Sequence, residues 1–143
     1  MSLVRDIIED RNLYFAEEHQ TVAAVTRKMA DLHVGAILIF AGHDLRGVFS
    51  ERDLMKRVVV ERRDPEKTLV ASVMSTDVAT IDESATLEEA MEAMHEHNCR
   101  HLPVTRGGDV ISFLSMRDLM NYELARKTEE LHHMRAYIHG ASS

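Results

Sequence analysis

The sequence predicts an α+β fold made of two α/β units of the order strand–helix–strand–strand–helix, packed with approximate two-fold symmetry, plus a C-terminal helix. Residues 50–55 read SERDLM, and residues 115–120 read SMRDLM at an offset of 65. At this offset residues 21–55 align with residues 86–120 without a gap, and nine of the 35 pairs are identical. A single unit would leave one apolar sheet face exposed, so we expect the copies to pack on each other.

The first half of each unit is predicted from helical periodicity. Apolar side chains between residues 22 and 32 recur at the spacing of one helix face. The matching helix opens at Thr86, and Glu89 three residues later has the spacing of a capping box. Ahead of the two helices we predict short strands at residues 13–16 and 78–81.

A hairpin and a second helix complete each unit. Apolar runs at residues 35–40 and 101–105 predict buried strands, and turns that contain glycine follow them. Residues 45–49 and 110–114 predict the returning strands of the hairpins. A further helix is expected to start at each Ser-x-Arg-Asp sequence.

The expected domain organisation follows from this repeat. We predict repeat 1 at residues 1–62, a linker at 63–68, repeat 2 at 69–122, and a C-terminal helix and tail at 123–143. In the last segment Leu124, Leu131 and Ile138 recur every seven residues, which makes an apolar stripe that needs a partner surface. The partner is either the protein's own body or a second copy in a homodimer.

Bulk composition limits the classes of partner. The chain has 143 residues, of which 24 are acidic and 17 basic, and the formal charge of −7 argues against nucleic acid. The longest apolar run, residues 34–41, is too short to span a bilayer, and residues 1–10 lack the apolar core of a signal peptide. Cys99 is the only cysteine, so no intrachain disulfide forms. We therefore predict a cytoplasmic protein without a membrane partner.

The two Ser-x-Arg-Asp sequences have two possible interpretations. Serine at a helix start with an acid three residues later is typical of helix capping. The same geometry could bind a ligand, because free N–H groups, a hydroxyl and an arginine attract phosphate. A short aspartate can also accept hydrogen bonds from the two vicinal hydroxyls of a ribose.

Other reactive residue types give weaker signals. His95, His97, Cys99 and His101 are of metal-ligand types, but a helix would place residues two apart on different faces. Cys99 also aligns with the apolar Val34, so we predict no metal site. The sequence offers no nucleophile with a neighbouring base and no paired catalytic carboxylates, so we predict neither an enzyme nor a catalytic cofactor.

Two motifs resemble a known family. The sequence GVFSERD at residues 47–53, and RHLPV at residues 100–104 followed by Ser115 and Asp118, resemble the cystathionine-β-synthase (CBS) domain family in its tandem form, the Bateman module. The resemblance covers about residues 4–122, and stand-alone bacterial members are the most similar type. It implies a regulatory module that binds an adenosine-containing small molecule (AMP, ATP or NAD) between the copies. The effector protein is unknown, and the alternative is a structural or interaction dimer with vestigial pockets, ahead of a nucleotide hydrolase.

The resemblance also implies which residues bind the ligand. Ser50 and Asp53 would meet phosphate and ribose at one site, and Ser115 and Asp118 would do so at the other. The second copy has Ser112 where the first has a glycine, so we expect the two sites to differ. The complete set of expected ligand-binding residues is Tyr14, Phe15, Ala16, Gly35, Ala36, Ile37, Ser50, Arg52, Asp53, Val78, Ala79, Thr80, Arg100, His101, Leu102, Pro103, Ser115, Arg117 and Asp118.

Overall fold

The computed structural model describes residues 1–8 and 13–141, and it contains two three-stranded sheets of identical topology. In each sheet the first strand pairs parallel with the second, and the second pairs antiparallel with the third. The predicted α+β class with two copies and a C-terminal helix is confirmed. The strands are β1 (Phe15–Glu17), β2 (Ala36–Ala41), β3 (Asp44–Ser50), β4 (Ile81–Asp82), β5 (His101–Arg106) and β6 (Asp109–Ser115).

The two hairpins repeat even their irregularity. The register of β2 against β3 shifts between Ile39 and Phe40, and that of β5 against β6 shifts between Val104 and Thr105. These positions are equivalent at the 65-residue offset. A bulge bends the strand that carries it, so both hairpins curve at the same place.

Four helical segments accompany the sheets. The first helix of each copy begins where a threonine hydroxyl accepts a backbone N–H: Thr21 from Ala24, and Thr86 from Glu89. Their apolar faces enter the two cores. The helices are α1 (Val22–Leu32), α2 (Glu51–Asp53, continued as a π-helical segment over Leu54–Val59), α3 (Leu87–Glu96) and α4 (Met116–Ala141).

The first strand of each copy is shorter and begins later than predicted. Strand β1 starts at Phe15 rather than at residue 13, and β4 starts at Ile81 rather than at residue 78. In the observed register β1 pairs with β2 from Leu38 onward, and β4 pairs with β5 from Val104 onward. The residues before these points are left to line the clefts described below.

Two short segments are exchanged between the copies. The one-turn 3-10 helix Val4–Asp6 lies on the second copy, where its first N–H donates to Ala85 O at 2.8 Å. The equivalent turn Val70–Ser72 lies on the first copy, where its first N–H donates to Gln20 O at 2.9 Å. Each copy is therefore completed by backbone from the other.

The cores contain the same exchange. Apolar side chains of residues 4–8 are buried in the second copy, and those of residues 70–74 are buried in the first. Each core therefore includes residues from the other side of the boundaries predicted at residues 62 and 69. Those boundaries describe the order of the repeats along the chain, and they stay a prediction. Residues 9–12 and 142–143 of the predicted domains lie outside the described residues.

Gly47 lies where an exchanged segment crosses a strand. Val48 and Ser75 exchange two backbone hydrogen bonds of 2.9 Å each. A Cβ at Gly47 would lie 2.5 Å from Ser75 O, and main chain cannot move away as the end of a side chain can. The glycine therefore permits the crossing. The second copy has the buried Ser112 at the equivalent position.

Across the described ranges, no helix is both long enough and apolar enough to span a membrane.

Candidate functional site

Two clefts lie between the copies, one at each helix start. The larger cleft has a volume of about 930 Å³ and contains the start of α4. The smaller cleft, of about 250 Å³, contains the start of α2. The predicted site residues that line the larger cleft are Tyr14, Gly35, Ala36, Arg100, His101, Ser115, Arg117 and Asp118. Those that line the smaller cleft are Gly35, Ala36, Ser50, Arg52, Asp53, Val78, Ala79, Arg100 and His101.

Each cleft combines residues from both copies. Tyr14 precedes β1 in the first copy, yet it shares the larger cleft with Asp118 of the second copy. Val78 and Ala79 precede β4 in the second copy and share the smaller cleft with Asp53 of the first. A ligand in either cleft would therefore touch both copies.

The remaining predicted residues line neither cleft. The resemblance extended the site along strand interiors, where side chains face a core rather than a ligand: Ala16, Ile37 and Leu102 are fully or almost fully buried. Pro103 is also buried within β5, and Thr80 is exposed ahead of β4.

Phe15 is the last of the predicted residues outside both clefts, and its side chain packs against residues of its own copy. Its ring packs edge-on against Phe40 with centroids 5.5 Å apart. The Lys28 ammonium group lies 5.4 Å from the Phe15 ring centroid and donates a hydrogen bond to the Phe15 carbonyl. Its neighbour Tyr14 lines the larger cleft instead and is 42% exposed.

Asp53 is committed to holding the fold together. Its Oδ2 accepts the Ser50 N–H at 3.0 Å and the Ser50 hydroxyl at 3.1 Å. Its Oδ1 accepts the Ser75 hydroxyl at 2.9 Å and lies 3.7 Å from Arg57 Nε. Because the residue is only 6% exposed, the carboxylate serves as a cap and as a link to the exchanged segment. The capping interpretation therefore holds for the first copy.

Asp118 has the same local cap but a different environment. Its Oδ2 accepts the Ser115 N–H at 2.9 Å, and the Ser115 hydroxyl accepts the Asp118 N–H at 3.0 Å. Unlike Asp53, Asp118 is half-buried and lines the larger cleft. It is therefore the aspartate of the pair that a ligand in the larger cleft can reach.

Basic groups face Asp118 in the larger cleft. Neither the Arg100 nor the Arg117 guanidinium has a hydrogen bond or ion pair with the described part of the chain, so both can meet an anion. Burial lowers the pKa of His101 below its ordinary value, and the charges of Asp118 and Glu51 partly oppose this shift. Its ring also packs against Phe113, with centroids 5.1 Å apart.

Sequence reasoning missed several residues that line the clefts. In the larger cleft these include His33, which ends α1 in the left-handed conformation (φ 58°), and Phe113 on β6. Glu51 lines both clefts. Comparison of the copies could have singled it out, because it is an acid where the second copy has the neutral Met116. The others are Met29, Ala30, Val34, Val48, Ser75, Asp77, His97, Asn98, Cys99, Ser112 and Met116.

The histidine and cysteine residues do not form a metal-ligand cluster. Within residues 1–8 and 13–141, no group of three or more histidine, cysteine, aspartate or glutamate side chains could hold a metal ion. Burial raises the pKa of the Cys99 thiol, which disfavours the reactive thiolate form.

Comparisons with known proteins agree with the fold. The CBS domain family matches residues 4–60 and 70–125. A structure of a protein with CBS domains from Burkholderia ambifaria MC40-6 is 31% identical, with a TM-score of 0.83, and the match covers 87% of this chain and 95% of that one. The CBS domain-containing protein YhcV of Bacillus subtilis is 27% identical over 128 residues, which is 90% of each chain.

A structure described as CBSX2 in complex with AMP has the same fold. It is 21% identical, its TM-score is 0.75, and the match covers 89% of this chain and 99% of that one. Other relatives are longer, since this chain spans between 15% and 61% of the length of the first curated relatives it matches.

Two sheets of one topology, joined by exchanged segments around composite clefts, define a tandem module of two like domains. The chain belongs to the CBS domain family, and its two domains form a tandem CBS pair. Proteins of this type are generally regulatory.

The buried hydrogen bonds of Asp53 give a stability prediction. We expect Asp53→Ala to lower the free energy of unfolding by about 3 kcal/mol, because buried donor groups lose their acceptor. Asp109→Ala, at the exposed hairpin turn, is the control and should change the free energy of unfolding by less than about 0.5 kcal/mol. Urea unfolding of the two variants measures the difference. Equal losses for the two variants would contradict the structural role given to Asp53.

Proposed function

We propose that this chain is a ligand-sensing regulatory module that binds one adenine nucleotide (AMP, ATP or NAD) in the larger cleft and has no catalytic activity. The observation that carries the proposal is the meeting of Tyr14, Asp118 and the two unengaged arginines in one cleft. The cleft volume of about 930 Å³ also lies within the range of small-molecule sites.

The chemistry of the lining suits the three parts of a nucleotide. Arg100 and Arg117 can form charge-assisted hydrogen bonds with phosphate oxygens. The Asp118 carboxylate can accept hydrogen bonds from the ribose hydroxyls, since it is half-buried and faces the cleft. Tyr14 and Val34 supply aromatic and apolar surface for a flat base. The AMP in the CBSX2 structure supports this choice of ligand class.

A ligand in this position would act on the relation between the copies. Because the larger cleft takes residues from both copies, a bound nucleotide favours the pose in which those residues converge. A ligand shifts such an equilibrium only by its difference in affinity for the two poses. An effector protein that distinguishes the poses would supply the output.

We expect one AMP per chain in calorimetric titrations with a panel of adenine nucleotides. Asp118→Ala should weaken AMP binding at least tenfold, because a charged acceptor for hydroxyl groups is lost, but should not weaken the binding of inorganic phosphate. Asp109→Ala, at the exposed hairpin turn, is the matched control and should bind AMP like the unmodified chain.

Two results would count against this proposal. If folded protein binds no member of the panel, the nucleotide site is refuted. If Asp118→Ala weakens phosphate and AMP equally, the carboxylate does not contact the ribose.

We also propose that the module works as a homodimer through its apolar helix surfaces. Residues 124–139 of α4 are all exposed, so the alternative in which the stripe packs on the protein's own body is wrong for this part. Leu124, Leu131 and Ile138 form the stripe, and Met120 and Met55 are exposed at equivalent positions of the two copies. An isolated helical arm with an apolar stripe is marginal in water, and a second copy would cover it.

Removal of the arm tests this assembly. In sedimentation runs at equal concentration, the full chain should be a dimer and a chain truncated after Tyr122 should be a monomer. The double variant Leu131→Ser/Ile138→Ser should also be monomeric without loss of the arm, while Glu129→Gln should stay dimeric. A truncated chain that is still a dimer would refute the arm as the interface.

A further inference from the structure

We infer that Glu51 limits the phosphate charge that the larger cleft accepts, and so favours nucleotides with few phosphates over those with many. This inference rests on the proposed nucleotide site and goes beyond it to selectivity. It depends on the position of Glu51, on its lack of partners, and on the charges that face it.

The position of Glu51 is set by main-chain contacts. Its N–H donates to Gly35 O at 2.9 Å, which ties the start of α2 to the residue before β2. Its carboxyl group folds over Gly35, where Cδ and Oε1 lie 3.2 Å from the point that a Cβ would occupy. The carboxylate is thereby held at the wall that both clefts share.

The Glu51 carboxylate is chemically uncommitted. With the residues that the structure describes, it forms no hydrogen bond and no ion pair. This contrasts with Asp53, two residues later, whose oxygens are occupied by Ser50 and Ser75. An exposed, uncommitted carboxylate contributes its full charge to the cleft that it lines.

The charge of Glu51 acts on the groups that would hold phosphate. It opposes the lowering of the pKa of His101, so its field reaches that ring. Among the described residues that line the larger cleft, there are two arginines, Arg100 and Arg117, against two acids, Asp118 and Glu51. With His101 neutral, these charges cancel. A phosphate group carries about two negative charges at neutral pH, so each further phosphate increases the repulsion from Glu51.

The second copy provides the natural comparison. Met116 occupies the position equivalent to Glu51, and its N–H makes the equivalent hydrogen bond, to Arg100 O at 2.7 Å. The main-chain contact therefore does not need an acid at this position. Because the fold accepts a neutral side chain in one copy, Glu51→Gln and Glu51→Met should both fold.

The test is calorimetric titration of the full chain with adenosine, AMP and ATP at 0.15 M salt. For Glu51→Gln we expect AMP to bind about threefold and ATP about tenfold more tightly, while adenosine is unchanged. Glu51→Met should show the same order. The matched control is Glu130→Gln on α4, which removes the same charge about 18 Å along the helix from Asp118, beyond the screening length of about 8 Å. It should leave all three affinities unchanged.

Each contrary outcome has a separate meaning. If the unmodified chain binds AMP but Glu51→Gln keeps the same ratio of ATP to AMP affinity, the inference about Glu51 is wrong and the nucleotide site stands. If adenosine gains as much as ATP, the effect is steric and the inference is again wrong. If the folded unmodified chain and both Glu51 variants bind none of the three compounds, the nucleotide site itself fails, and the inference fails with it.

Discussion

The backbone hydrogen bonds that carry residues 4–8 into the second copy, and residues 70–74 into the first, determine the rest of the molecule. They join the two copies so that neither core is complete without residues from the other half of the chain. The copies are thereby held face to face, and the segments just before β1 and β4 lie against the helix starts of the opposite copy. Composite clefts are a consequence of this exchange.

The exchange also explains why near-identical motifs have different roles. In the first copy the exchanged segment brings Ser75 to Asp53, and the buried carboxylate accepts the hydrogen bond of the Ser75 hydroxyl. Gly47 makes this approach possible, because a side chain there would collide with Ser75 O. In the second copy Asp118 stays half-buried beside a much larger cleft. Duplication thus produced one aspartate that braces the fold and one that lines the larger cleft.

The repeat predicted most of the architecture, since local signals are repeated along with it. The threonine caps at Thr21 and Thr86, the hairpins and the α+β class follow from residue patterns within each copy. The exchanged segments were missed because Leu3-Val4 returns as Leu69-Val70 at an offset of 66, one residue away from the gapless alignment. Partners that lie far apart in the chain, such as Ser75 for Asp53, leave no local signal at all.

Part of the candidate site was also visible in the sequence. Ser115, Arg117 and Asp118 were expected from their motif, and they lie in the larger cleft. Residues such as Ile37 were carried over from the family pattern, yet they face a core, because that pattern does not distinguish the two sides of a buried strand. Glu51 was overlooked because helix capping explains its neighbours Ser50 and Asp53 but does not involve the Glu51 side chain.

The central claim is that one nucleotide binds between the copies in the larger cleft, and a crystal structure of the chain grown with AMP tests it most directly. The account predicts density for one AMP with its ribose within hydrogen-bonding distance of the Asp118 carboxylate, and none beside Asp53. Density for the nucleotide beside Asp53, or outside both clefts, would contradict it.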